Sequence, residues 1–376
     1  MPLDPGIVRL RRHLHQWPEL SGREEATAAH LARFLGEHGP AQLLTGLGGC
    51  GLAAVYEAGR PGPTILLRAE LDALALNEAG ERTHRSKNPG RAHLCGHDGH
   101  MALLAGLAPW LAATPLRRGR VVLLFQPAEE TGQGAARLLA DPRAAALRPD
   151  WVFALHNLPG HPLGQVLAKA GPANPASVGL EVRLLGKGCH AAHPEQGVSP
   201  APALAALLSR LPELPRELGR PGLVTVCHAA LGEPSFGSAP ETALVQATLR
   251  AGRDEDLEAL RTAARELAAR EGAAAGLTWE TAWREYFPAV ENHPAAVTML
   301  AKAARAAVLD FVSPEEPFAW SEDFGHFTRQ APGALFCLGA GLDCPPLHNP
   351  VYDFPESLLE VGLGLYQSLL TALGCF

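Results

Sequence analysis

"KAGPANPASVGLEVRLLG", residues 169–186, is where the chain changes character. Before it, short apolar runs bounded by Gly and Pro read as buried strands: "GLAAVYE" (51–57), "PTILLRAEL" (63–71), "RVVLLFQ" (120–126) and "WVFALH" (151–156). Helical stretches lie between them. "SGREEATAAHLARFLGEHG" (21–39) opens with a Ser cap and a Glu at the capping-box spacing. An apolar helix is expected from His97 to about Ala113, and a short one near 133–140. Strands alternating with helices predict an α/β sheet covered on both faces. After the Gly/Pro/Asn connection the pattern is different. "VGLEVRLLG" alternates as a half-exposed strand does. A helix follows at about 199–211, then strands "LVTVCHA" and "ALVQATLR", a helix over 254–272 and the strand "LTWETAWREYF". That order, β-α-β-β-α-β, is the split arrangement of a ferredoxin-like unit. From Pro288 the chain returns to a helix (294–308), a strand "ALFCLGAG" and a C-terminal helix from about Glu356. The expected architecture is a discontinuous domain, 1–174 and 286–376, with a mostly parallel sheet flanked by helices. A ferredoxin-like module, 175–285, is inserted into it.

Composition removes several function classes. The 376 residues exceed what one core usually supports, and 47% are apolar. The net charge of −7, with no basic block, argues against nucleic acid and against a polybasic membrane anchor. The N-terminal "MPLDPGIVRLRRHLHQW" has no apolar core of a secretory signal, and no run reaches the length of a membrane span. The seven cysteines are scattered without a C-x-x-C pair. A reducing cytoplasm is therefore expected.

Metal-type ligands concentrate in five places. "HLCGHDGH" supplies Cys95, His97, Asp98 and His100. "FQPAEETGQGA" supplies Glu129 and Glu130 just after a strand. "WVFALHN" ends a strand with His156, "GCHAAHP" carries His190 and His193, and "PLHNP" carries His348. Sites in open α/β sheets form beyond the carboxyl ends of strands, where Glu129, Glu130 and His156 fall. Each has a plainer reading: a polar helix start, a solvated acidic pair, strand-end or loop histidines. Taken together, a thiolate, imidazoles and carboxylates suit Zn, Mn, Co or Ni. A glutamate pair could divide the work between ligand and general base. Arg250, in "ATLR", is a candidate for holding a substrate carboxylate, or else a surface arginine on its strand.

The sequence resembles the M20 metallopeptidase family, in its branch of N-acyl-amino-acid, hippurate and auxin-conjugate amidohydrolases. The segments that carry the resemblance include "RRHLHQWPELSGREEATAAHL", "LLRAELDALAL", "SKNPGRAHLCGHDGHMALLAG", "LLFQPAEETGQGAARLL", "ALHNLP", "GKGCHAAHPEQGVSP", "SEDFGHF" and "LHNPVYDFPE". It implies two divalent metal ions held by Cys95, His97, Glu130, His156 and His348, with Cys95 bridging. It implies Glu129 as general base, and Asp72 and Asp98 as residues orienting ligands. It also implies a homodimer formed through the inserted domain, with His190 reaching the partner's site to stabilise an oxyanion. The expected substrate is a small N-acyl amino acid or peptide-like amide. A dipeptidase or aminopeptidase on the same scaffold, a cysteine-nucleophile amidase and an inactive binding protein are the alternatives. The chain departs from the family pattern at Glu70, where Asp is usual, at Gly237, where Asn is usual, and at Cys189, where Gly is usual.

Overall fold

The computed structural model describes residues 4–376. The chain divides into two compact units. One runs up to Ala173 and continues through Val290–Pro317 and Asp323–Phe376; the other comprises Asn174–Ala289 and Phe318–Glu322.

The first unit is built on an eight-stranded sheet. Its middle is parallel: Arg120–Gln126, Thr64–Glu70, Trp151–Leu158 and Gly333–Gly339 lie side by side in that order. Gly51–Glu57 and Gln42–Leu47 extend one edge antiparallel. Val166–Leu167 and Phe311–Val312 extend the other. Every residue of Thr64–Glu70 is buried, as a strand covered on both faces requires. Helices Pro5–Gln16, His97–Ala105, Pro294–Ala306 and Ser357–Ala372 supply residues to the main core, including Leu10, Leu104, Leu300 and Leu365.

Two local expectations are corrected. The single helix foreseen from His97 to Ala113 is broken into His97–Ala105 and Leu107–Ala113. Pro109 has no N–H to donate to the Ala105 carbonyl, so the ladder cannot run through. The helix foreseen from Ser21 begins at Glu25, with no side-chain cap. Ser21 donates instead to Asp72 Oδ2 (2.7 Å), and the Glu24 carboxylate accepts from the N–H groups of Gly22 and Ala128. A tertiary use of both side chains displaced the local cap.

The second unit is a four-stranded antiparallel sheet in the order Leu223–Leu231, Thr242–Ala251, Ala176–Leu185, Thr278–Phe287. Its helices Ala201–Arg210 and Asp254–Ala274 contribute Leu207, Leu260 and Leu267 to one core with Val182, Val245 and Leu249. Helix, strand and connection order match the ferredoxin-like pattern. Phe318–Glu322 joins this unit from far along the chain. Among the described residues no helix is long and apolar enough to cross a membrane.

Candidate metal centre

The site residues in the first unit come from four places in the chain. Cys95 precedes Gly96, whose φ of 92° is left-handed, and helix His97–Ala105 starts immediately after. A Cβ on Gly96 would fall 2.3 Å from Asn157 Oδ1, so only Gly fits the turn. Glu129 and Glu130 follow strand Arg120–Gln126 through Ala128, a non-glycine residue with φ 52°. Its amide donates to the buried Glu24 carboxylate (2.8 Å), which holds the strained turn. The Glu130 amide donates to Asp72 Oδ2 (3.0 Å). His156 lies on strand Trp151–Leu158. His348 lies in a loop, also with positive φ (66°), its amide bonded to the Leu94 carbonyl (2.8 Å).

These segments place donor atoms in overlapping groups. Cys95, His97 and His156 each offer one within 4.8 Å of the others; so do Cys95, Glu130 and His348, and so do His97, Glu129 and Glu130. Two of the groups share the Cys95 sulfur. The imidazoles are turned to suit. His97 Nδ1 donates to the Asp72 carbonyl and His156 Nδ1 to the Asn157 carbonyl, each at 2.8 Å. A carbonyl only accepts, so each Nδ1 carries a proton when the ring is neutral and leaves Nε2 as a lone pair. His97 Nε2 is buried, makes no hydrogen bond, and lies 3.9 Å and 3.8 Å from the carboxylates of Glu129 and Glu130. His156 Nε2 lies 3.5 Å from Cys95 Sγ.

The electrostatics fit a cation. Burial pushes the Cys95 thiol up to about 12, and neighbouring Glu130 adds to it. Burial, with His100 beside it, pushes His156 down to about 3, so its ring is neutral. A divalent cation would convert the same thiol to a ligand and would occupy the lone pair of His97. The S, N and O donors suit borderline first-row ions.

Other residues of the same sequence segments do different work. His100 is engaged on both nitrogens: Nδ1 lies 2.8 Å from Glu70 Oε2, and Nε2 lies 2.6 Å from Asn157 Oδ1. Glu70 also pairs with buried Arg68, whose Nη2 donates to Asp323 Oδ1 (2.9 Å). Asp72 faces His97 and Glu130, but Asp98 turns to Arg11 (2.7 Å) and His15 (2.9 Å). Sequence reasoning missed Asn157, Tyr352, Arg11 and His15. The only signals were their places beside ligands in "LHN" and "LHNPVYD", and the "RRHLH" cluster.

The remaining candidates belong to the second unit. His190 is exposed, in the two-residue strand Cys189–His190 that pairs with Ser238–Ala239. Arg250 is half-buried and donates to Ser321 Oγ (2.7 Å). A Cβ on Gly237 would meet nothing within 4 Å, so neither space nor a left-handed backbone demands Gly there.

The model of peptidase family M20/M25/M40 matches residues 66–372. The chain belongs to this family. It is 31% identical over 374 residues to the N-acetyl-L-cysteine deacetylase of Bacillus subtilis (strain 168), covering 97% of this chain and 88% of that protein. It is 30% identical to the IAA-amino acid hydrolase ILR1-like 4 of Arabidopsis thaliana, covering 97% and 85%. Among solved structures, a dinuclear metal binding peptidase of the M20 family from Bacillus subtilis superposes with a TM-score of 0.81 at 28% identity, covering 98% and 97%. This chain is a metal-dependent amidohydrolase of that family.

Proposed function

We propose that the enzyme hydrolyses the amide bond of small N-acyl amino acids, with Cys95, His97, Glu130, His156 and His348 as metal ligands. The observation that carries this reading is the pair of ligand groups sharing Cys95, with Glu129 in contact range of His97 beside them. Two ions there, with Zn, Mn, Co and Ni all compatible, would polarise the substrate carbonyl and make water acidic enough to attack at neutral pH. Glu129 takes the proton from the attacking water and returns it to the leaving nitrogen. Asp72 and Asn157 hold the rings of His97 and His156 in place through their carbonyls. His190 donates a hydrogen bond to the developing oxyanion. Arg250 pairs with the carboxylate of the amino-acid portion.

The inserted module, 175–285, serves as lid and as the dimer contact, and the partner's copy supplies His190. Its strand Leu223–Leu231 ends the sheet with one edge unpaired, which supports such a role. We place the enzyme in a reducing cytoplasm, which suits a chain whose cysteines are scattered without a C-x-x-C pair. Small N-acyl amino acids are favoured because relatives named for such substrates align over nearly the whole chain.

The test is a substrate screen on metal-depleted protein reloaded with each of the four metals. N-acetyl and N-benzoyl amino acids should be turned over with higher kcat/KM than dipeptides bearing a free amine. The reverse order would make the enzyme a dipeptidase or aminopeptidase. No hydrolysis with any metal would leave a binding protein on the same fold.

A further inference from the structure

The candidate ligands arrive on separate segments, and one residue, Asn157, meets three of them with its side chain and backbone carbonyl. The Asn157 carbonyl orients His156 (2.8 Å). Its side-chain Nδ2 donates to the Tyr352 hydroxyl (2.6 Å). Both side chains are fully buried. Gly96, between Cys95 and His97, presses against the same pair: its missing Cβ would stand 2.3 Å from Asn157 Oδ1 and 2.9 Å from the Tyr352 hydroxyl. The Tyr352 amide bonds to the Asn349 carbonyl (2.9 Å), next to His348. Tyr352 also forms a small apolar cluster with Ala92 and Leu94, and the Leu94 carbonyl accepts the His348 amide. His348 is nevertheless the exposed member of the ligand set, on a loop of positive φ.

We propose that Asn157 and Tyr352 are positioning residues that couple the two halves of the metal centre, so that the two ions bind cooperatively. One half is Cys95, His97 and His156; the other is Cys95, Glu130 and His348. The inference rests on the dinuclear reading given above. An ion that draws in His156 fixes Asn157, Asn157 fixes the Tyr352 hydroxyl, and Tyr352 holds the loop carrying His348. The ordering entropy of that loop is then lost when the first ion binds, and the second ion meets a prepared ligand. Cys95 alone would link the ions through their shared thiolate. The Asn157–Tyr352 bond adds a second link that does not pass through a ligand.

The experiment is a cobalt(II) titration of the metal-depleted full chain. Thiolate-to-cobalt absorption and competition with a chromophoric chelator follow the two binding events. Tyr352→Phe removes only the hydroxyl. Asn157→Ala removes the amide group, and with it the bonds to Tyr352 and to the His100 ring, but keeps the backbone carbonyl that orients His156. Tyr352→Phe should bind the first ion within roughly threefold of wild type and the second about tenfold more weakly, the scale of one hydrogen bond, and Asn157→Ala should weaken the second at least as much. The double variant should bind the second ion no more weakly than Asn157→Ala alone, because the bond that Tyr352→Phe removes is already cut there. Equal weakening of both ions, additive weakening of the second, or an unchanged second ion would overturn the inference. Wild-type protein that binds only one cobalt would instead overturn the dinuclear reading beneath it. If Asn157→Ala fails to fold, judged by circular dichroism, Tyr352→Phe decides alone.

Discussion

His15 gives a quantitative test of the buried charge cluster beneath the metal-binding segment. Its side chain is fully buried in helix Pro5–Gln16, with Nδ1 2.9 Å from Asp98 and Nε2 3.1 Å from Glu78. Carboxylates only accept, so two of them ask both ring nitrogens to donate, which only imidazolium can do. Burial opposes that charge. Asp98 and Glu78 outweigh burial, with Arg11 working against them, and the pKa is pushed up from 6.5 to about 9. In the unfolded chain the proton leaves near pH 6.5; in the folded chain it leaves near 9. The stabilisation is therefore complete below pH 6.5 and disappears as pH rises through 9. Integrated between pH 6.5 and 8.5, the loss is about 2 kcal/mol. His15→Gln is neutral throughout this window. Urea unfolding of metal-loaded protein at both pH values should show wild type losing about 2 kcal/mol more than the variant. The comparison cancels His97, which both proteins carry unchanged and which the proposed metal would hold neutral. It also avoids His93 and His156, which burial pushes down to about 3 and which titrate on the acid side. Histidine-selective NMR should show one imidazole still protonated at pH 8 and missing in the variant. Equal pH losses in the two proteins, or a His15 that titrates near 6.5, would refute the argument.

Glu129→Gln should lose about 10²–10⁴-fold in rate while keeping its metal, as expected for a positioned acid–base group; metal analysis showing depletion would mean that Glu129 and Glu130 have exchanged roles. Cys95→Ala should lose metal, measured by elemental analysis, yet keep its circular dichroism spectrum, because a chain of this size has a core of its own. Full metal content and activity in that variant would contradict the ligand set. Mixing inactive Glu129→Gln with inactive His190→Ala protomers should restore activity if His190 acts across a dimer, since one site of each hybrid then has both groups intact. Confirmed hybrids without activity would assign His190 to its own subunit.

What the sequence disclosed follows from how local each signal is. Strands Gly51–Glu57 and Arg120–Gln126 match their expected spans because burial on both faces writes an uninterrupted apolar run. The donor types were equally plain, since Cys95, His97, Glu129 and Glu130 stand in short segments between turn residues. Their partners were not. Ser21 and Glu24 have the spacing of a capping box, and nothing local says that Asp72 and Ala128 will claim them instead. Arg11 is 342 residues from Asp353, which it binds, so that ion pair is invisible to any periodicity. Glu70 shows why the substitution of a usual Asp could be noticed but not interpreted. One of its oxygens meets Arg68 and the other the His100 ring, itself against Asn157. A carboxylate reaching two partners from the end of a buried strand can use an extra methylene without moving the ligand histidines. Asp72, two residues on, meets the Glu130 amide with its carboxylate and the His97 ring with its backbone carbonyl, so only the first contact depends on the side chain. Which residues carry donor atoms is thus readable from residue type alone, whereas the partners that orient them come from segments far away in the chain.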